Sequence, residues 1–301
     1  MAKEEVLDTA PYTSGDKIGV GVEYNTRDLI IYALGIGSRD PRFVYEANKE
    51  FAAFPTYPIV LTFKGESFNT LPFPPPAMQE YPLPPLPGFS GIGLDAEKLI
   101  EKVAELPKAG AKLKLLGKVA GVHSKGKGAL VERLFELVDD AGKVYYNIVD
   151  ATFMLGCKNF KDSGRTFSKN LTPPASAPMH SVETPTDEHI PSLYRLSGDY
   201  NPLHVDPQFA KFGGFDKPIM HGQCTMGHVT RALLDTLAGG DQGRFKSVQL
   251  RFASPVFPGQ TLLTEVWKTS PTEFIFHTKV KETGKVCVSN GLFVLTPEGK
   301  L

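Results

Sequence analysis

Gly198-Asp199-Tyr200-Asn201-Pro202-Leu203-His204-Val205 stands 161 residues after Gly37-Ser38-Arg39-Asp40-Pro41-Arg42-Phe43-Val44. The flanks keep step. Val22-Glu23-Tyr24-Asn25-Thr26 faces Val182-Glu183-Thr184-Pro185-Thr186 at an offset of 160, and Pro58-Ile59 faces Pro218-Ile219 at the same offset. Identity is low but the order is kept, as in a duplicated domain. The copies differ where chemistry is carried. Asp199 and His204 of the second copy face Ser38 and Phe43 of the first. The first copy has lost its ionisable pair, and a Phe in place of a His suits an apolar group better than proton transfer.

Each copy shows the same order of elements, a polar loop, an apolar helical run and then strands. In the second copy Cys224, His228, Ala232, Leu233, Thr236 and Leu237 recur at helical spacing, and Gly239-Gly240 ends the run. Strand patterns follow at 247–252, 261–267, 273–280 and 286–295, separated by turns at Pro255, Pro258-Gly259, Ser270-Pro271 and Thr283-Gly284. In the first copy 112–123, 129–138 and 144–155 read as strands joined by turns at 125–128 and 140–142. A long helix with an antiparallel sheet, twice, is an α+β arrangement. The polar, aperiodic stretch 158–177 reads as a linker between residues 1–157 and 178–301. From Pro72 to Pro87 eight of sixteen residues are proline, which predicts an extended surface loop.

Composition narrows the function classes. Lys+Arg and Asp+Glu are both 33, so net charge favours neither nucleic acid nor an anionic membrane. With 41% hydrophobic residues the chain can bury a sizeable core. Yet no apolar stretch approaches the roughly 20 residues of a membrane span, and no signal-peptide pattern opens the chain. Cys157, Cys224 and Cys287 lack a pairing pattern and read as reduced thiols of an intracellular compartment. Gly299-Lys300-Leu301 is one residue from the Ser-Lys-Leu peroxisomal address, and a frayed polar tail is the equal alternative.

Gly198 and Pro202 predict a loop on which the side chains of Asp199 and His204 converge. A neutral His beside a carboxylate accepts a proton from water, and Asn201 offers a donor and an acceptor to orient it. The competing reading is a turn in which Asp199 caps local N–H groups and His204 is merely packed. His221-Gly222 opens the helical run. A Gly in the first turn lets a substrate approach the backbone, whose N–H then meets a developing oxyanion. Close packing explains that Gly equally well when it is taken alone. His221, Cys224 and His228 lack the paired spacing of a zinc site, and neither CxxC nor HExxH is present. Gly19-Val20-Gly21 lacks the rest of a dinucleotide fingerprint.

The run Tyr194 to His204, with His221-Gly222-Gln223-Cys224-Thr225 and Arg251 to Leu262, resembles the hydratase 2 motif of the MaoC-like hot-dog family. The first half resembles that family's degenerate N-terminal hot-dog at Tyr32-Ala33-Leu34-Gly35-Ile36-Gly37 and Asp40 to Glu46. The resemblance covers nearly the whole chain. It implies a double hot-dog fold and reversible hydration of trans-2-enoyl-CoA to (3R)-3-hydroxyacyl-CoA, without metal or redox cofactor. It also implies acyl-CoA thioesters as ligands, a homodimer, and a peroxisomal setting in which Gly299-Lys300-Leu301 would meet an import receptor. By position, the catalytic pair matches Asp199 and His204, the family Asn matches Asn201, and the oxyanion donor is the Gly222 N–H. Ligand contacts fall on Gly198, Tyr200, Pro202 and Leu203, on Lys125 and on Phe252. A His-Gly pair of some relatives stands here as Asp95-Ala96, which puts those contacts in doubt. Lys125 is a partner for CoA phosphates or a residue of a solvated turn. A dehydratase of fatty-acid synthesis, a non-catalytic acyl-CoA-binding module and a thioesterase are the other readings. The module would need Asp199 or His204 to be missing.

Overall fold

Alternation of buried and exposed residues along short β-rich runs builds the sheet. In Glu273–Val280 the side chains of Phe274, Phe276, Thr278 and Val280 turn inward while those between turn out. The structure is a computed structural model and describes residues 6–297. Its first half carries β1 (Ile18–Asn25), β2 (Gly93–Lys102), β3 (Gly110–Lys125), β4 (Gly128–Val138) and β5 (Val144–Leu155), in the spatial order β1-β3-β4-β5-β2. A two-residue strand β6 (Ser163–Gly164) pairs with β3. The second half carries β7 (His180–Pro185), β8 (Phe245–Phe252), β9 (Thr261–Lys268), β10 (Glu273–Val280) and β11 (Val286–Leu295), in the order β7-β9-β10-β11-β8. The two orders are the same topology. They join where β2 pairs antiparallel with β8, from Glu97 opposite Arg251 to Glu101 opposite Ser247.

Two helices matter for the site. α1 (Thr26–Gly35) starts at a capping box, in which the Asn25 side chain accepts the Asp28 N–H and Asp28 accepts the Asn25 N–H. α2 (Gly222–Ala238) lies against the second half of the sheet and ends at Gly239, which adopts the left-handed conformation (φ 59°). The chain is thus a double hot-dog of α+β class, as the resemblance implies.

The expected long helix is formed in the second half only. Its counterpart in the first half is one turn, Leu61–Lys64, closed by Gly65 at φ 56°. The proline-rich stretch takes over as a surface loop, eight of its sixteen residues being exposed, that also sends side chains inward. Ala77, Tyr81 and Leu86 are buried, the Tyr81 ring meets Phe135 edge-on at 4.9 Å, and its hydroxyl donates to the Leu115 carbonyl at 2.8 Å. Proline bars a long helix, leaving only the turn Pro76–Gln79, and the rest of the backbone is free to cover a sheet face with its remaining side chains.

Residues 158–177 do connect the halves, but as a strap laid over the sheet. The N–H groups of Phe167 and Ser168 donate to Glu132 Oε1 at 2.9 and 2.8 Å. Gln249 Nε2 donates to the Phe167 carbonyl at 2.9 Å and Trp267 Nε1 to the Ser176 carbonyl at 2.8 Å. The three cysteines are unpaired and buried. Among the described residues no helix is long and apolar enough to cross a membrane. The tripeptide Gly299-Lys300-Leu301 lies outside the described residues.

Candidate active site

The loop at 198–204 is held by short local hydrogen bonds. Asp199 Oδ1 accepts the Asn201 N–H at 3.2 Å, and Asn201 Oδ1 accepts the Leu203 N–H at 3.0 Å, which starts a turn of 3-10 helix over Pro202–His204. Asp199 therefore caps the local backbone with one oxygen and keeps the other. Asn201 spends its carbonyl oxygen on the turn and retains its NH2. Gly198 adopts φ 135°, and a Cβ there would meet the backbone of Lys64 at 3.0 Å, so a side chain would push the loop off the first half.

Asp199 and His204 converge as the spacing predicts. A carboxylate oxygen of Asp199 and ring nitrogens of His204 and His221 lie within 4.8 Å of one another, all three residues being buried. The His204 Nδ1–H donates to the Ile219 carbonyl at 2.8 Å. That bond sets the tautomer and leaves the Nε2 lone pair free. Burial holds His204 down from 6.5 to about 4, against the pull of the Ile219 carbonyl. Burial raises Asp199 from 3.8 to about 6, tempered by the Asn201 N–H and by Lys98. Near neutral pH the pair is a neutral base beside a carboxylate.

His221 completes the group. Its ring stacks on His204 with centroids 3.8 Å apart and planes at 30°, and its Nε2–H donates to the Asp199 carbonyl at 3.2 Å. Three donors in one cluster raise the question of a metal. A cation needs lone pairs that converge on one point, whereas stacked rings direct theirs along near-parallel planes.

Gly222 is the first residue of α2 and is half-buried, while His221 and residues 223–230 are all buried. The helix N-terminus thus opens at this one residue. Phe252 and Asp95 face it, with ring carbons at 3.2 Å and Oδ2 at 3.3 Å from where a Gly222 Cβ would stand. Asp95 keeps 37% of its side chain accessible although protein surrounds it, and burial pushes its carboxyl up against the pull of Lys98. Lys98 in turn contacts both Asp95 and Asp150. The Asp95-Ala96 departure therefore puts an acid at the site's mouth.

The remaining candidates sort by distance from this point. Tyr200 is buried, with the Arg195 guanidinium 5.1 Å over its ring, and Pro202 and Leu203 are half-buried on the loop. Lys125 is exposed at the β3–β4 hairpin, at the end of the sheet where β2 begins. Three strand spacings separate β3 from β2, on the order of 14 Å. Lys125 is therefore not brought to the reacting centre, and its place suits the phosphate end of a long ligand. The resemblance put Asp95-Ala96 at a ligand-contact position and left it in doubt, and the structure places Asp95 against Gly222; what sequence reasoning missed is the stacking of His221 on His204. The adjacency of His221 to Gly222 was the only available signal for it.

Two family models divide the chain, the MFE-2 hydratase 2 N-terminal domain over residues 22–156 and the MaoC like domain over residues 169–290. The chain is 39% identical over 295 residues to the peroxisomal multifunctional enzyme type 2 of Drosophila melanogaster, covering 95% of this chain and 48% of that protein. It is 32% identical to the probable enoyl-CoA hydratase 2 of Dictyostelium discoideum, covering 92% of this chain and 93% of that one. The crystal structure of a MaoC-like dehydratase from Phytophthora capsici superimposes with a TM-score of 0.90 at 38% identity, over 95% and 97% of the two chains. The chain spans about half or less of the length of the multifunctional relatives it matches.

Proposed function

The chain belongs to the MaoC-like hydratase 2 family, and on that premise we propose that it adds water reversibly to trans-2-enoyl-CoA thioesters to give (3R)-3-hydroxyacyl-CoA. One observation carries the reading. A buried carboxylate and a neutral imidazole with a free Nε2 converge beside the one half-buried residue at the start of α2.

The steps follow from the charges. Asp199 and His204 Nε2 hold a single water over the β-carbon of the enoyl group. His204 takes a proton from that water as the C–O bond forms, and Asp199 stabilises the imidazolium. Negative charge moves to the thioester oxygen, where the Gly222 N–H and the positive end of α2 receive it. The proton then passes to the α-carbon. These steps draw on no metal and no redox group. The acyl tail lies toward the first half, where the long helix of the second half has only the one-turn counterpart Leu61–Lys64.

Loss of the enoyl-thioester absorbance of trans-2-decenoyl-CoA, followed by chiral analysis, tests the reading. The expected product is 3R. An (S) product, or no hydration by soluble folded protein, refutes it. Asp199→Asn and His204→Gln should each lower kcat by roughly 100- to 10,000-fold with the far-ultraviolet circular dichroism spectrum unchanged. A peroxisomal setting accords with the names of several relatives, and microscopy of the tagged chain with and without its last three residues tests it. A homodimer belongs to the same reading, and sedimentation equilibrium tests that.

A further inference from the structure

His221 touches all three parts of the site. Its ring stacks on His204, and its Nε2–H donates to the Asp199 carbonyl. Its own carbonyl accepts the N–H and the hydroxyl of Thr225 at 3.0 and 3.3 Å, which sets the first turn of α2 and so the direction of the Gly222 N–H. Simple packing of an aromatic residue does not explain these contacts, because the ring is 1% exposed and its Nδ1 has no hydrogen-bond partner. A bare buried lone pair costs about 1–3 kcal/mol, and a Phe would fill the same space without it.

We propose that His221 is a positioning residue, a permanently neutral imidazole that fixes the ring plane of His204, braces the backbone of Asp199 and supports the imidazolium formed when His204 accepts the proton of water. The inference rests on the hydratase reading above. The surroundings favour it. A proton on Nδ1 would place a second cation 3.8 Å from His204. Burial first, and then His204, hold the His221 ring well below the ordinary histidine range. The Asp199 carbonyl pulls it up and Arg195 adds a further downward push. Tyr194, whose ring lies 5.0 Å away, and Asp199 are the other titratable neighbours facing it, and Asp95 lies beyond Gly222. A neutral ring stacked on an imidazolium presents its π face to the charge.

The test is nitrogen-15 NMR of histidine-labelled full-length protein, with steady-state kinetics on enoyl-CoA. In the parent protein His221 should show the Nε2–H tautomer and His204 the Nδ1–H tautomer, both neutral from pH 8 to 5. His221→Gln keeps a donor for the Asp199 carbonyl but removes the ring. Without the π face that supports its imidazolium, His204 should stay neutral down to pH 5, and kcat should fall about 10- to 100-fold with KM within threefold; a His204 midpoint that rises toward 6.5 would overturn the support. His221→Phe keeps the stack and removes the donor, so His204 should stay low while kcat falls. An Nδ1–H tautomer for His221, or its protonation above pH 5, overturns the proposal without any variant having to fold. Parental kcat in both variants, or a change confined to KM, also overturns it. Should the parent protein not hydrate enoyl-CoA at all, the hydratase reading fails, while tautomers and titrations still report on the stacked pair.

Discussion

Asp199 is a carboxylate that the fold would rather keep protonated. Its ordinary value of 3.8 rises to about 6 because burial penalises the charge. The penalty is absent below pH 3.8, grows as pH rises toward 6, and is then constant at roughly 3 kcal/mol. Asp199→Asn should accordingly stabilise the fold at pH 7 by up to about that amount, with the gain fading as pH falls through 6 toward 4. Denaturant melts of both proteins across that range check it, and equal stability at pH 7 would count against the buried charge. His204 has the opposite sign of shift and a different window. Its folded value of about 4 against 6.5 unfolded means that stability is lost as pH falls from 6.5 to 4. Activity follows the ionised Asp199 and the neutral His204. Hence kcat/KM should climb with pH through about 6 and then level, the His204 midpoint lying too low to limit it. Asp95 also faces the site with a raised carboxyl, so Asp95→Asn is the control, and the limb should survive there if it belongs to Asp199. The convergence of Asp199 and His204 was legible in the sequence because Gly198 and Pro202 announce the loop that joins them. Asp95 was legible only as a doubtful contact position, and the contacts of His221 were not legible, because both depend on α2 and β2 being brought against that loop.

The start of α2 keeps a residue that helix stability alone would not choose. Gly222 is its first residue, where Ala would be the better helix former. A Cβ would nevertheless stand 3.2 Å from Phe252 and 3.3 Å from Asp95 Oδ2, in the opening a thioester must enter. Gly222→Ala should leave thermal stability equal or slightly higher and lower kcat/KM by about 100-fold or more. A calorimetric scan beside an initial-rate assay separates the two effects, and a variant with parental rates would remove Gly222 from the oxyanion site. β9 and β10 were readable because one face of each is buried and the alternation survives in the sequence, whereas β4, buried on both faces, was readable from its apolar run between the turns at 125–128 and 140–142. β2 was not. Glu97, Lys98 and Glu101 lie along it and find charged partners across the sheet, Glu97 with Arg251 at 2.7 Å and Lys246 with Glu101 at 3.1 Å, while Lys102 pairs with Glu105 just beyond the strand at 2.7 Å. That strand carries the pattern of a charged surface although Glu97, Lys98 and Lys102 are buried. The missing helix of the first half was also hidden, since apolar residues such as Tyr81 and Leu86 cover the sheet from a backbone that has no period to detect.

Across the whole molecule the two halves share one sheet, and a line of charge, buried at Lys98, Asp150 and Arg133 and open to solvent at Asp95, runs through their joint. Asp95 faces Gly222, Lys98 joins it to Asp150, Arg133 meets Asp150 at 2.6 Å, and the other end of Arg133 donates to the Tyr81 carbonyl at 3.0 Å. The line passes from the reacting centre of the second half through β2, β5 and β4 to the proline-rich segment of the first. Duplication thus gave more than a silent copy, because the first half supplies the counter-charges that set the site's field. Lys98 is the link to break, being 3% exposed between two carboxylates. Lys98→Met leaves Asp150 its Arg133 but removes the cation from Asp95, which already faces Asp199. Breaking one partner from a fully buried ion pair costs about 3–5 kcal/mol; here Asp150 keeps Arg133 and Asp95 is 37% accessible, so the variant should lose stability at pH 7 by less than that amount. Asp199 loses a cation that holds it down, so the acid limb of kcat/KM should also move to higher pH. Adding Asp95→Asn should recover part of both losses, since the carboxylate left unpaired is then gone. Lys281→Met is the contrast. It removes an exposed pair with Glu183, half-accessible on both sides, and should cost under about 1 kcal/mol with an unchanged profile. Denaturant melts and pH–rate profiles of the three variants decide the matter. Equal losses for Lys98→Met and Lys281→Met would mean that the charge line does not couple the halves.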